Sequence, residues 1–322
     1  MLRMFEELGK IGIVPVIKID DVAKALPLAK ALADGGIPAA EITFRTAAGV
    51  EALRRISFAM PELILGAGTV LTTGQVDQAV DAGADFVVTP GFNPRIVAYC
   101  VAKGVPVIPG CSNPSDIEQA LDVGIDLVKF FPAEQAGGLA YIKALAGPYP
   151  RLQFMPTGGI NQKNLTEYLG FDRVLACGGS WMVTPELIDA GDFVRITGLC
   201  RDAMRTMLGF HLAHLGINAV HAKEAVELAL LFEALFGFGL QEGNSSIFSS
   251  DQIEIMKIPG LGTCGHIGIG TRDLKRAIAA LERKDIAFNR ESAKTDAQGN
   301  LAAIYLQREI AGFAVHLVQK SL

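Results

Sequence analysis

The chain has 322 residues, half of them apolar, and a formal net charge of −5. That length suits one large domain and a smaller one, each with material for a buried core. The acidic balance leaves no basic footprint for nucleic acid, and no uninterrupted apolar stretch approaches the ~20 residues that a membrane span requires.

The opening residues, MLRMFEELGK, carry acids early and lack the long apolar core of a secretory leader. Five scattered cysteines, an odd number with no CxxC, argue for free thiols in a reducing compartment. Together these predict a cytoplasmic protein. From residue 10 to about 180 one theme repeats: an apolar, often β-branched run, then an amphipathic helix that stops at glycine. The strand candidates are 11–19, 38–44, 63–70, 86–90, 105–110, 125–132, 153–158 and 173–178. The stops read ADGG (33–36), DAG (81–83), AKG (102–104) and DVG (122–124), where glycine just past a helix supplies a left-handed cap. Eight such units predict an α/β fold, a TIM (β/α)8 barrel, with 184–209 as a closing helical segment. An open doubly wound sheet is the alternative, but no GxGxxG opens a helix.

After residue 210 the pattern changes. HLGI (214–217) and HIGI (266–269) each open a strand, followed by a helix (223–236 and 272–284) and strands ending at QIEIMK (252–257) and AVHLVQ (314–319). This predicts a first domain of 1–209, then a smaller α+β domain over 210–322 built from two βαβββ modules, about 210–258 and 262–322. All five histidines, His211, His214, His221, His266 and His316, lie in the second part. Chemistry in the first part must proceed without an imidazole base or a His-held metal.

Lys129, in DLVKFFPAE (126–134), sits mid-strand. Barrel strands are covered on both faces, so the lysine is expected to be buried. Burial disfavours the ammonium, and a neutral amine in an apolar pocket is what Schiff-base catalysis requires. The competing reading pairs it with an acid such as Glu41. Lys129→Ala is expected to abolish turnover while the protein stays folded, since removing a buried charge leaves no unpaired group. In AEITFRT (40–46), Glu41, Thr43 and Arg45 alternate and share a face: a structural ion pair, or an acid/base beside a carboxylate clamp. GAGTV (66–70) and TPG (89–91) put Thr69 and Pro90 at carboxyl ends of strands, where barrels build their sites. Thr157-Gly158-Gly159 and Gly178-Gly179-Ser180 close strands seven and eight, where backbone amides form the usual barrel phosphate site.

The segments EITFRT, GAGTV, TPG, KFFPAE, PTGGI and GGSW, in this order, resemble the 2-keto-3-deoxy-6-phosphogluconate (KDPG) / 4-hydroxy-2-oxoglutarate (KHG) aldolase family over about residues 8–205. The resemblance implies a class I aldolase that needs no cofactor, commonly a homotrimer, acting on a small phosphorylated keto acid. It implies Lys129 as the Schiff-base nucleophile and Glu41 as the proton shuttle. Arg45 and Thr69 would hold the pyruvyl carboxylate, and Pro90 and Phe131 would shape the pocket. Thr157 would lie near the reacting carbons, with Gly158, Gly159, Gly179 and Ser180 on the distal phosphate. The gluconate and galactonate epimers and 4-hydroxy-2-oxoglutarate all stay open as substrates. A phosphosugar isomerase or epimerase barrel, which needs no lysine imine, is the alternative.

The segment after residue 210 departs from that family. Its repeat resembles the vicinal oxygen chelate superfamily, which includes glyoxalase I and extradiol dioxygenases. That resemblance implies His214, Glu254, His266 and His316 as ligands for a divalent Zn, Ni, Mn or Fe. A metal-free regulatory or assembly module is the alternative, and His211 and His221 read as incidental. His214 and Glu254 stand 40 residues apart, His266 and His316 stand 50 apart, and a one-residue slip would turn a ligand to the wrong face.

Overall fold

Short apolar runs between glycine-stopped helices fold, in a computed structural model that describes residues 2–320, as alternating strands and helices. The chain divides into two units at Met207/Leu208. The strands of the first are β1 (Ile13–Ile17), β2 (Ala39–Thr43), β3 (Ile64–Gly68), β4 (Phe86–Val88), β5 (Val107–Ile108), β6 (Leu127–Phe130), β7 (Gln153–Pro156) and β8 (Cys177–Gly179). Its helices are α1 (Leu2–Ile11), α2 (Ala25–Asp34), α3 (Gly49–Ala59), α4 (Thr73–Asp81), α5 (Pro94–Lys103), α6 (Pro114–Asp122), α7 (Gly138–Ala146), α8 (Leu165–Leu169), α9 (Pro185–Ala190) and α10 (Phe193–Leu208). The stops at Gly104 and Gly124 take φ of +68° and +80°, a conformation that a Cβ would strain. The strands are shorter than expected, and the last one also shifts: the strand expected at 173–178 begins only at Cys177 and runs to Gly179. Before it, the Val174 amide is spent on a turn to Phe171 O, and Val174 makes a lone bridge to Phe154.

All strand pairs in this unit are parallel. Six strands form a sheet in the order β5-β4-β3-β2-β1-β8, and β6 pairs with β7. Single parallel bridges, Gly110 to Lys129 and Thr157 to Gly178, lie at the two gaps between these sets. The strands are almost wholly buried, with Phe86, Phe130 and Phe154 among the largest inaccessible side chains. Each such ring contributes on the order of 2–3 kcal/mol by leaving water. Parallel strands end on a common edge, so the segments following β1, β2, β6, β7 and β8 converge there.

The second unit runs β9 (His211–Asn218), α11 (Ala222–Phe236), β10 (Leu240–Glu242), β11 (Ser246–Ser249), β12 (Ile253–Met256), then β13 (Gly265–Thr271), α12 (Leu274–Glu282), β14 (Phe288–Thr295), β15 (Leu301–Leu306) and β16 (Phe313–Gln319). All eight strands form one sheet, β10-β11-β12-β9-β13-β16-β15-β14. β9 and β13 meet antiparallel at its centre, flanked by the parallel pairs β12–β9 and β13–β16. Under α11, Ala225 and Ala229 pack with Ile247 and Ile255. All five cysteines are free thiols, and among the described residues no helix is long and apolar enough to cross a membrane.

Candidate functional site

β6 carries Lys129 into the interior of the first unit, where it is 4% exposed. Its Nζ donates to Glu41 Oε1 at 3.0 Å and to Oε2 at 3.3 Å. Glu41, on β2, is 0% exposed. Its carboxylate fills the space left by Gly68 on the neighbouring strand, where a Cβ would stand 2.3 Å from Oε1. The Lys129 amine also lies 5.4 Å from the Phe131 ring centre. The amine therefore does not stand alone, and removing it would strand a buried carboxylate, contrary to the expectation that Lys129→Ala leaves no unpaired group.

In front of the amine is a cavity of about 270 Å³. Its wall includes Arg45, Lys129, Phe131, Thr157, Gly158, Gly159, Gly179 and Ser180, all singled out in the sequence. Glu41, Thr69 and Pro90 are absent from that lining. Thr69, just past β3, has φ +58° and accepts from Arg45 Nε at 3.1 Å. Pro90 is half-buried, and its carbonyl crowds Gly110 so closely that a Cβ there would meet it at 2.3 Å. Lys18 also lines the cavity and was not read from the sequence. Its signal is its place, one residue past the carboxyl end of β1. The wall thus carries three cationic side chains, Lys18, Arg45 and Lys129, and no carboxylate. Lys18 and Lys129 are paired with acids off the lining, Asp20 at 2.6 Å and Glu41 at 3.0 Å, so Arg45 is the cation best placed to meet an anionic ligand. Gly179 lets Trp181 lie against the backbone, since a Cβ would stand 2.0 Å from Cζ3.

In the second unit, β12, β9, β13 and β16 bring Glu254, His214, His266 and His316 to one place. The registers form two rows across the sheet. One runs Glu254, Gly216, His266, and the next runs His214, Gly268, His316, Tyr305. The glycines of HLGI and HIGI are the gaps in these rows. A Cβ at Gly216 would stand 2.0 Å from His266 Cε1, and one at Gly268 would stand 2.4 Å from His214 Cε1. Each motif thus makes room for the imidazole of the other.

His316 Nε2 lies 3.0 Å from His214 Nε2, and Glu254 Oε2 lies 3.1 Å from His266 Nε2 and 3.5 Å from His214 Nε2. One ligand atom from each of the three histidines lies within 4.8 Å of the others. Ser246 donates to the other Glu254 oxygen at 2.7 Å. Burial pushes the Glu254 carboxyl up, but hydrogen bonds from His266 and Ser246 and the imidazole charges outweigh it, bringing it down to about 2. Burial, reinforced by the other two imidazoles, holds His316 down at about 3, and burial lowers His214 too. An ionised carboxylate and imidazoles that resist protonation, as His214 and His316 do, favour cation binding. His221 and His211 stand apart: His221 Nδ1 accepts from Glu224 N–H at the start of α11, and His211 Nδ1 lies 3.0 Å from Gly209 O.

Residues 5–199 match the KDPG and KHG aldolase family. A 2-dehydro-3-deoxy-phosphogluconate aldolase of Treponema pallidum is 51% identical over 205 residues, which are 64% of this chain and 98% of that protein. The KHG/KDPG aldolase of Escherichia coli K12 is 42% identical over 192 residues, 60% of this chain and 90% of that one. Among solved structures, the KDPG aldolase of Legionella pneumophila, with pyruvate captured at low pH as a covalent carbinolamine intermediate, superposes with a TM-score of 0.60. It is 40% identical and covers 62% of this chain and 97% of its own.

Proposed function

Since the chain belongs to the KDPG and KHG aldolase family, we propose that its first unit is a closed (β/α)8 barrel working as a class I aldolase with Lys129 as nucleophile. The reaction is cleavage of 2-dehydro-3-deoxy-6-phosphogluconate to pyruvate and glyceraldehyde 3-phosphate. The observation that carries this reading is a buried lysine amine on a cavity wall with a carboxylate 3.0 Å away.

Proton transfer from Nζ to Glu41 frees the amine's lone pair to attack the C2 ketone. Glu41 returns that proton to the carbinolamine hydroxyl, whose loss as water gives a cationic imine and leaves Glu41 ionised; the imine takes up the electrons of the C3–C4 bond as it breaks. Glu41 is off the cavity wall, so it removes the C4 hydroxyl proton through a water molecule. The enamine is protonated at C3 and hydrolysed to pyruvate, without a metal. Arg45, with Thr69 accepting from its Nε, clamps the pyruvyl carboxylate. Phe131 shapes the pocket from its wall, Pro90 would do so only from behind it, and Thr157 stands near the reacting carbons. Gly158, Gly159, Gly179 and Ser180, all on the cavity wall, receive the phosphate. The galactonate epimer and 4-hydroxy-2-oxoglutarate are the alternative substrates, and relative kcat/KM on the three decides among them. A homotrimer in the cytoplasm is the assembly and location that the family resemblance favours. Mass spectrometry after pyruvate and borohydride is the direct test. A reduced pyruvyl adduct on the Lys129 peptide is expected, and an unmodified Lys129 would return the barrel to the isomerase class.

For the second unit we propose a metal site of the vicinal oxygen chelate kind, formed by two βαβββ modules. His214, His266, His316 and Glu254 would supply three nitrogens and an oxygen to Zn, Ni, Mn or Fe. Convergence of the three imidazoles, with a Glu254 oxygen 3.1 Å from His266 Nε2 and 3.5 Å from His214 Nε2, supports it. The full chain purified without chelator should carry about one equivalent of metal, and His266→Ala should lose most of it. Metal-free protein would favour an assembly or regulatory module instead.

A further inference from the structure

The loop after β7 is gripped from behind by groups that do not line the cavity. Ala133 N–H donates to Thr157 O at 2.8 Å, and Glu134 N–H donates to Gly158 O at 3.1 Å. The next carbonyl, Gly159 O, accepts from two side-chain amides, Asn161 Nδ2 at 3.0 Å and Asn164 Nδ2 at 3.2 Å. Both amides are fixed at their other end as well. Asn161 Oδ1 accepts from Lys163 N–H at 2.9 Å, and Asn164 Oδ1 accepts from Asn161 N–H at 2.8 Å.

In a planar trans peptide, the N–H points opposite to the carbonyl it is bonded to. With Gly158 O and Gly159 O both held on the outer side, the amides of Gly159 and Ile160 turn the other way, and both residues line the cavity. Among the described residues, neither N–H has an intramolecular acceptor. A carbonyl that accepts two hydrogen bonds also polarises its own peptide, which makes the N–H beyond it a stronger donor.

We propose that Asn161 and Asn164 are positioning residues for the distal phosphate, aiming the Ile160 N–H into the cavity by holding the Gly159 carbonyl. The inference rests on the proposed phosphate end of the aldolase site, and it adds the Ile160 amide to the donors there. Neither asparagine touches substrate; each acts through the peptide it grips.

The test compares Asn161→Ala, Asn164→Ala and the double variant with Ser180→Ala. It uses the phosphorylated keto acid, the same acid without phosphate, and inorganic phosphate as a competitive inhibitor. In the double variant, KM for the phosphorylated acid and the inhibition constant for phosphate should each rise roughly tenfold, the worth of one charge-assisted hydrogen bond. The kcat should fall much less, and KM for the unphosphorylated acid should barely move. Asn164→Asp keeps the acceptor for Asn161 N–H but loses the donor, so it should behave like Asn164→Ala or worse. Equal losses on both acids would show a merely structural role and overturn the proposal. If Ser180→Ala discriminates between the acids and the asparagine variants do not, this inference fails alone. If neither does, the phosphate reading falls with it.

Discussion

Lys129 and Glu41 form a unit, and their variants must be read as one. Lys129→Ala should end pyruvate trapping, and it should also cost about 3–5 kcal/mol by leaving Glu41 charged and unpartnered in the interior. Lys129→Met with Glu41→Gln should recover much of that stability and none of the turnover. Thermal unfolding beside borohydride trapping separates the two effects, and equal stability of all three chains would mean that the pair is solvated. Glu41→Gln alone should slow both cleavage and proton exchange into pyruvate; full exchange would reduce Glu41 to a structural partner. At this scale the sequence was informative wherever residue type and spacing combine. Strict alternation in EITFR placed Glu41 as a candidate partner before any contact was visible. Lys18 was missed because a lysine after a strand looks like any solvent-facing lysine until the strand's end is located.

Among elements, punctuation by glycine made the first unit's rhythm legible, because a left-handed cap is a local requirement. The start of β8 was less so: Arg173–Ala176 is mostly apolar and bonds to Phe154 of β7 through Arg173 O and Leu175 N–H, but the Val174 amide closes a turn to Phe171 O, which composition does not reveal. In the second unit, the two HxGI motifs were readable as a repeat, while the partnership of each glycine with the other motif's histidine depends on long-range register. The ten-residue difference in ligand spacing is absorbed away from the site. β14 and β15 have 8 and 6 residues where β10 and β11 have 3 and 4. The register yields a sharp expectation. Gly216→Ala should displace His266, and Gly268→Ala should displace His214, each lowering metal affinity ten- to a hundredfold as perturbed ligand support does. Titration with Zn or Ni measures it, and pyruvate trapping on Lys129 serves as the control for folding. Undiminished affinity in both would remove the metal from this cluster.

For the molecule as a whole, the confinement of histidine to residues after 210 separates the acid responses of the two units. In the folded second unit, His316 stays neutral down to about pH 3 and His214 is also held below its ordinary value. The unfolded chain takes up those protons near pH 6.5, so stability is full above that pH and falls below it. The slope reaches about 1.4 kcal/mol per pH unit for each histidine until the folded group itself protonates. Glu254 adds to the loss from its ordinary value near 4.5 down to about 2. Calorimetry of chelator-treated protein should therefore show the second unit's transition moving down between pH 7 and pH 5. His316→Gln should flatten that dependence, and an unshifted transition would contradict the burial argument.

The interlocking of glycine and imidazole across β9 and β13 also bears on ancestry. Each half contributes two of the four proposed ligands and the hollow that the opposite half needs, so a lone half holds an incomplete set. A primitive single-half polypeptide could have captured a cation only by associating as a twofold pair. Joining two halves in one chain permits Glu254 to differ from His316, its counterpart in the repeat, a difference that a strictly symmetric pair of identical halves forbids.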